Sequence, residues 1–267
     1  MMIYGYLYDL WYSAKMKVPI KHNLSSHCHV LLTGSSGSGK SYALLYILGR
    51  LMQTCPNITV YFCDFKNSDD FSFLDGYKHY YSGDECYNGI IAYYKSFTSA
   101  RKNRSKRRAL LIFDEYPAFI SYLSGLDKTN KTKRASECQN AVAEILMLGR
   151  GINHGIWLVT QRADASLFQG SSGGSRDNFM IVIGLGRMSR EQKGMLFSGE
   201  DLPNDRIYKP GEGIIYADGS AIQEIKIPII NNLDSWKHHI ISIMFASLDS
   251  SPSIQEPPSC ETSIREA

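Results

Sequence analysis

Three short groups of residues in this chain have types and spacings that can do chemistry. The first is Gly34-Ser35-Ser36-Gly37-Ser38-Gly39-Lys40-Ser41, a full match to G-x-x-x-x-G-K-[ST]. Glycines at this spacing let the backbone curl into a nest of N–H groups, and a helix starting at its end adds a positive dipole. Such a loop cradles phosphates: Lys40 is expected to reach the outer phosphates and the Ser41 hydroxyl to take a Mg²⁺ position, so ATP and Mg²⁺ are the expected cofactors. The second group, Asp114-Glu115, follows Ala-Leu-Leu-Ile-Phe. An aspartate ending an apolar strand can help hold the Mg²⁺, and the carboxylate beside it can polarise an attacking water. The third, Thr160-Gln161, ends Ile-Trp-Leu-Val-Thr. Strand ends of a parallel sheet line the ligand crevice, so Gln161 is either a γ-phosphate sensor or a simple strand cap.

These groups need strands that end level with one another and helices that cover them. Apolar runs predict strands at 30–33, 58–63, 109–113, 156–160 and 179–183, with a closing hairpin from 214–216 and 222–227. Leu44, Leu45, Ile47, Leu48, Leu51 and Met52 fall at helical spacing and predict a helix over 41–52. Further helices are expected over about 84–100, over 136–148 ending at Gly149 and Gly151, and after Asp234 as a cap. Strands buried on both faces and separated by helices imply an α/β fold with a mostly parallel, doubly wound sheet. Lys128–Arg134 is polar and basic and is expected to be an exposed loop, as is the Gly/Ser-rich stretch 170–175.

Composition narrows the partners. The chain has 267 residues, 43% hydrophobic and 21% charged, with 29 Lys+Arg against 26 Asp+Glu. The surplus is local: Arg101, Lys102, Arg104, Lys106, Arg107 and Arg108 crowd into one run, and four acids against one base lie in 249–267. A neutral body excludes a polycation that binds nucleic acid by bulk charge. No apolar stretch approaches the roughly 20 residues of a membrane span, and no signal peptide is expected. The six cysteines show no C-x-x-C pair and suit a reducing cytoplasm.

The motifs together resemble the FtsK/SpoIIIE/HerA branch of motor ATPases, and especially FtsK-like coupling proteins of Gram-positive conjugative elements. The likeness is carried by His29–Gly34 leading into the phosphate loop, Asp64-Phe65-Lys66, Ile112–Tyr116, Gly149-Arg150-Gly151, Thr160–Ala165, Arg176-Asp177-Asn178 and Gly186–Ser189. It implies a RecA-like P-loop NTPase of the ASCE type over 19–248, with a small C-terminal β-hairpin and helix. An aromatic segment, 1–18, would precede it and a disordered acidic tail, 249–267, would follow. The resemblance further implies a hexameric homo-oligomer around double-stranded DNA, with translocation driven by ATP hydrolysis. Glu115 would be the catalytic base, Gln161 the sensor, and Asp114 with Ser41 the Mg²⁺ holders. An arginine acting in trans would come from Arg176, Arg187 or Arg190, with Arg176 slightly preferred.

Other features leave alternatives. The run 101–108 and the segment holding Lys128, Lys131, Lys133 and Arg134 are either solvated surface or contacts to DNA phosphates. The segment lies after the 109–113 strand and suits a pore better than the run does. Tyr4, Tyr6, Tyr8, Trp11 and Tyr12 form either a docked strand or a partner contact. His27-Cys28-His29 lacks a second ligand pair with zinc spacing and reads as structural. Besides a motor serving transfer or replication of a mobile element, two functions stay open. One is an ATP-binding adaptor that recruits a relaxase or replication initiator; the other is a phage or satellite DNA-packaging ATPase. The location expected is cytoplasmic, with any membrane association through a partner.

Overall fold

The computed structural model describes residues 1–162, 178–203 and 206–249. Five apolar runs become the parallel centre of one sheet: β3 (Val30–Gly34), β4 (Thr59–Asp64), β6 (Ala109–Asp114), β7 (His154–Thr160) and β8 (Ile181–Leu185). Around them lie β1 (Met2–Leu7), β2 (Pro19–His22), β5 (Tyr80–Ser82), β9 (Glu212–Ala217) and β10 (Gln223–Lys226). The strand order is β2-β1-β10-β9-β8-β3-β7-β6-β4-β5. Strands β8 to β5 pair in parallel, and the β9–β10 hairpin, β1 and β2 extend the β8 edge antiparallel. The aromatic segment 1–18 thus supplies a strand and α1 (Tyr8–Ser13) to the same sheet.

Both faces of the central strands are apolar, so each must be covered. Leu110 and Ile112 point into a layer with α2 (Lys40–Thr54) and α7 (Leu233–Asp249). Their neighbours Leu111 and Phe113 point into a second layer with α3 (Cys86–Lys102), α4 (Tyr116–Asn130) and α5 (Arg134–Leu148). Alternation along each strand serves both layers, and each fully buried large side chain stabilises by about 1.5–3 kcal/mol. Gly49 of α2 is needed for close approach: a Cβ there would lie 2.3 Å from the Trp236 ring of α7.

Two expectations are corrected. Lys128–Arg134 is not a loop but a tight corner between two helices. Lys128 lies in the last turn of α4, Lys131 turns the chain at φ 54°, and Arg134 opens α5. The Asp127 carboxylate caps α5, accepting from the N–H of Arg134 (3.0 Å) and of Ala135 (2.9 Å). Tyr116, Phe119, Ile120 and Leu123 do have helical spacing and are buried; Ser121 among them and Ser124-Gly125 directly after them mask the pattern. At α7, the cap is Asn232 rather than Asp234: its Oδ1 accepts from the N–H of Ser235 at 2.9 Å. The Gly/Ser stretch 170–175 lies outside the described residues. No helix among the described residues is long and apolar enough to cross a membrane.

Candidate nucleotide site at the carboxyl edge of the sheet

The register places the chemical groups on one edge. Gly34 pairs with Leu185, Thr33 with Thr160, Asp114 with Val159, and Asp64 with Asp114. Strand β7 lies between β3 and β6, so Thr160 ends between the phosphate loop and Asp114. After each strand the chain turns at this edge, and the turns carry the functional residues.

Residues 34–41 form a tight loop entering α2. Gly37 and Gly39 have φ of 77° and 88°, a region that residues with a Cβ rarely adopt. A Cβ on Gly39 would also lie 2.9 Å from the amide nitrogen of Gly211. The loop is buttressed from behind: the Gly211 N–H donates to the Ser38 carbonyl (2.9 Å), and a Cβ on Gly186 would lie 2.8 Å from that of Ser38. Ser35, Ser36 and Gly37 are exposed while Ser38 and Lys40 are buried, so the rim faces outward over a fixed floor. The first N–H groups of α2 have no partner within the helix. Glycines with positive φ, a helix N-terminus and a buried lysine fit a nucleoside triphosphate.

Lys40 Nζ donates to the carbonyls of Gly34 (2.6 Å) and Ser35 (3.1 Å). Burial pulls its ammonium below the usual lysine value, while Glu115 and Asp114 oppose that shift. Asp114 is 3% exposed. Burial pushes its carboxyl up to about 7, with Glu115 and Asp64 adding and Lys66 and Lys40 opposing. Such a group is short of positive charge. Asp114 and the half-buried Ser41 hydroxyl fit a Mg²⁺ that keeps several waters and takes few protein ligands. Among the described residues there is no group of three or more His, Cys, Asp or Glu placed to hold a metal ion.

Glu115 is 5% exposed and has left-handed backbone, φ 61° and ψ 44°. Its N–H donates to the Val159 carbonyl at 2.9 Å, which fixes the turn from β6 into α4. Its Oε1 accepts from Lys66 Nζ at 2.7 Å. Burial lowers the Lys66 ammonium, but Glu115, Asp114 and Asp64 together hold it above the usual lysine value. Lys66 is presented by a turn built on Asp64, whose carboxylate accepts from the N–H of Asn67 (3.1 Å) and of Ser68 (3.2 Å). In the sequence, Lys66 stands only as the last residue of the Asp64-Phe65-Lys66 block, with no role evident from its neighbours. Its signal is topological: it stands two residues past a strand that neighbours the Asp114 strand.

Gln161 is exposed at the end of β7. Beside it the Thr160 hydroxyl donates to the Arg162 carbonyl (2.8 Å) and accepts from the Arg162 N–H (3.2 Å). Arg187 and Arg190 are exposed just past β8, Arg187 directly after the glycine that abuts Ser38 and Arg190 at the start of α6 (Arg190–Leu196). Arg176 lies outside the described residues. Lys128, Lys131, Lys133 and Arg134 are exposed at the α4–α5 corner, and the Arg134 guanidinium lies 5.0 Å from the Tyr87 ring centre. In the run 101–108, Arg101 pairs with Glu144 (2.8 Å) and Arg108 donates to Ser25 (2.6 Å); both lie toward the amino edge of β6.

The order β8-β3-β7-β6-β4, with a glycine-rich phosphate loop after β3 and a carboxylate pair after β6, defines a P-loop NTPase fold with the additional central strand. No family model matches the chain. The FtsK domain-containing protein YdcQ of Bacillus subtilis (strain 168) is 24% identical over 222 residues, 76% of this chain and 43% of its own length. The chain therefore spans less than half the length of that relative. The pCW3 conjugation coupling protein TcpA, in a monomer form with ATPγS, superposes with a TM-score of 0.64 at 20% identity, over 84% of this chain and 67% of that one. ATPases 2 and 3 of EssC from Geobacillus thermodenitrificans give 0.63 at 14% identity, over 97% and 51%. The genome packaging NTPase B204 of Sulfolobus turreted icosahedral virus 2, in complex with ATPγS, gives 0.50 at 16% identity, over 75% and 97%. The resemblance to FtsK-type ATPases read from the motifs is thus shared by a sequence relative and by the fold.

Proposed function

We propose that this chain is an ATP-hydrolysing DNA translocase subunit of the FtsK/SpoIIIE type, serving transfer or replication of a mobile element. The observation that carries this is the convergence of Lys40, Asp114 and Glu115 on one sheet edge, with β7 and its Gln161 between the two motif strands. In this reading Lys40 leaves the Gly34 and Ser35 carbonyls to bind the outer phosphates, and the N–H groups of 34–41 hold the rest. Ser41 and Asp114 hold Mg²⁺, which neutralises charge on the transferring phosphoryl group. Glu115 accepts a proton from the attacking water, and Gln161 senses the γ-phosphate. The protein acts as a homo-oligomer, a hexamer around duplex DNA, with an arginine from Arg176, Arg187 or Arg190 completing a neighbour's site. The α4–α5 corner offers Lys128, Lys131, Lys133 and Arg134 to the DNA backbone.

ATP turnover measured with and without duplex DNA, with oligomer mass in parallel, tests this. Turnover should rise with duplex, and Lys40→Ala and Glu115→Gln should each lower it by roughly 10²–10⁴-fold. Displacement of a triplex-forming strand along duplex DNA separates a motor from an adaptor that recruits a relaxase or replication initiator. Full turnover in both variants overturns the assignment of the site.

A further inference from the structure

Beside α2, the α1 segment, the β10–α7 connection and the start of α7 enclose a cleft of about 800 Å³. This size falls within the roughly 300–1,000 Å³ of sites that hold a small organic ligand. Three cations line it, and each lies over an aromatic ring. Lys17 Nζ is 5.5 Å from the Trp11 ring centre, and Lys226 Nζ is 5.9 Å from that of Tyr12. The Arg50 guanidinium lies 5.2 Å from Tyr46 and 5.6 Å from Trp236, whose rings are parallel to within 5°. Among the described residues no aspartate or glutamate lines the cleft, although Lys226 is held from behind by the buried Glu212 at 3.0 Å. Side-chain amides of Gln53, Asn231 and Asn232 complete the wall.

Flat rings, cations and amides without carboxylates match the chemistry of a stacked base and its phosphate. An apolar peptide is a poorer match, because the aliphatic groups, Pro228, Ile229 and Ile230, are grouped on the β10–α7 connection alone. Arg50 is committed to the floor, donating to Tyr46 Oη (3.0 Å) and to Gln53 (2.9 Å). Lys17 and Trp11 are the accessible pair, Lys17 being exposed and Trp11 half-buried.

We propose that this cleft binds a short stretch of single-stranded nucleic acid, with a base stacked at Trp11 and phosphates drawn by Lys17 and Lys226. It stands apart from the residues 34–41 that hold the triphosphate, so it does not rest on the ATPase reading.

The test uses the whole purified chain without nucleotide and a fluorescein-labelled ten-residue oligo(dT), followed by anisotropy and by intrinsic tryptophan emission. The chain has three tryptophans, and Trp157 is 2% exposed, so quenching reports Trp11 and Trp236. Saturable binding with quenching is expected. Affinity should fall about five-fold or more in Trp11→Ala and clearly in Lys17→Glu. Raising salt from 50 to 200 mM should lower it about seven-fold if two phosphates are engaged. Lys40→Ala should bind the oligonucleotide normally, which separates failure here from failure of the ATP site. Lys17→Glu changes an exposed side chain and keeps the test valid if Trp11→Ala does not fold. Absence of saturable binding, affinity unchanged in both cleft variants, or equal competition by a ten-base-pair duplex overturns the proposal. Preferential quenching by a ten-residue Glu/Leu peptide also overturns it and assigns the cleft to a protein partner.

Discussion

Lys66 Nζ lies 2.7 Å from Glu115 Oε1, so the turn after β4 holds the carboxylate that follows the Asp114 strand. The glutamate is nearly buried, with 6% of its side chain exposed, whereas 40% of the lysine side chain is. In the proposed reading, the Lys66 ammonium occupies Oε1 of the carboxylate assigned to the attacking water, and so restrains that side chain until Lys66 moves.

Removing that restraint has a direct consequence. Lys66→Ala should raise ATP turnover in the absence of DNA and shrink the stimulation that DNA gives. A half-exposed ion pair contributes up to about 1 kcal/mol, so a rise of roughly five-fold is the expected scale. Steady-state turnover with and without duplex measures it; a fall in the DNA-free rate would show that Lys66 assists Glu115 rather than restraining it.

Asp114 carries a pH signature. Its carboxyl is raised by burial to about 7 in the folded chain against an unfolded value of 3.8. Between those values the folded chain holds a proton that the unfolded chain has lost, so stability declines as pH rises from about 4 to 7. Asp114→Asn removes the charge. It should raise stability relative to the natural chain at pH 8, by at most about 4 kcal/mol, and give little gain at pH 4. Thermal unfolding without Mg²⁺ at the two pH values reads this directly.

Gly39→Ala tests the phosphate loop without touching a charged group. The new Cβ meets a φ of 88° and the Gly211 amide at 2.9 Å. Strain of about 1–3 kcal/mol is expected, and ATP-analogue affinity should drop about two- to twelve-fold if the loop relaxes by half of that. Nucleotide titration alongside circular dichroism distinguishes a displaced loop from an unfolded chain.

Glu212 anchors the floor behind that loop. Its carboxylate accepts from Tyr12 (2.6 Å), Lys226 (3.0 Å) and the Lys209 N–H (3.0 Å). Burial works to raise its carboxyl, but these three partners prevail and hold it below the usual range. The stability it contributes is present above about pH 4.5 and is lost as pH falls through the lower folded value. Glu212→Ala should destabilise at pH 7 by an amount near the low end of roughly 3–5 kcal/mol, since Lys226 keeps some solvent. The gap to the natural chain should narrow below pH 4; a gap that stays constant would assign the loss to packing alone.

Much of the sheet could be read along the chain because burial on both faces imposes nearly continuous apolar runs, as in Ala109–Phe113 and Ile156–Thr160. Helix α4 is masked because its buried Phe119, Ile120 and Leu123 are interrupted by Ser121 and followed by Ser124-Gly125, so packing rather than propensity holds it. Strand β1 was one of two options for the tyrosine-rich start; its pairing with β10 depends on residues some 220 positions away.

The phosphate loop and the Asp114-Glu115 pair were determined by local sequence, since a nest of N–H groups needs glycines at fixed offsets and a strand-ending carboxylate needs only its own strand. The Lys66–Glu115 pair, the Gly211 and Gly186 buttress beneath Ser38, and the ring-and-cation cleft beside α2 were decided by the tertiary structure alone. Each joins segments that are distant along the chain, and only the strand order and the crossing of α7 over α2 bring their side chains within reach.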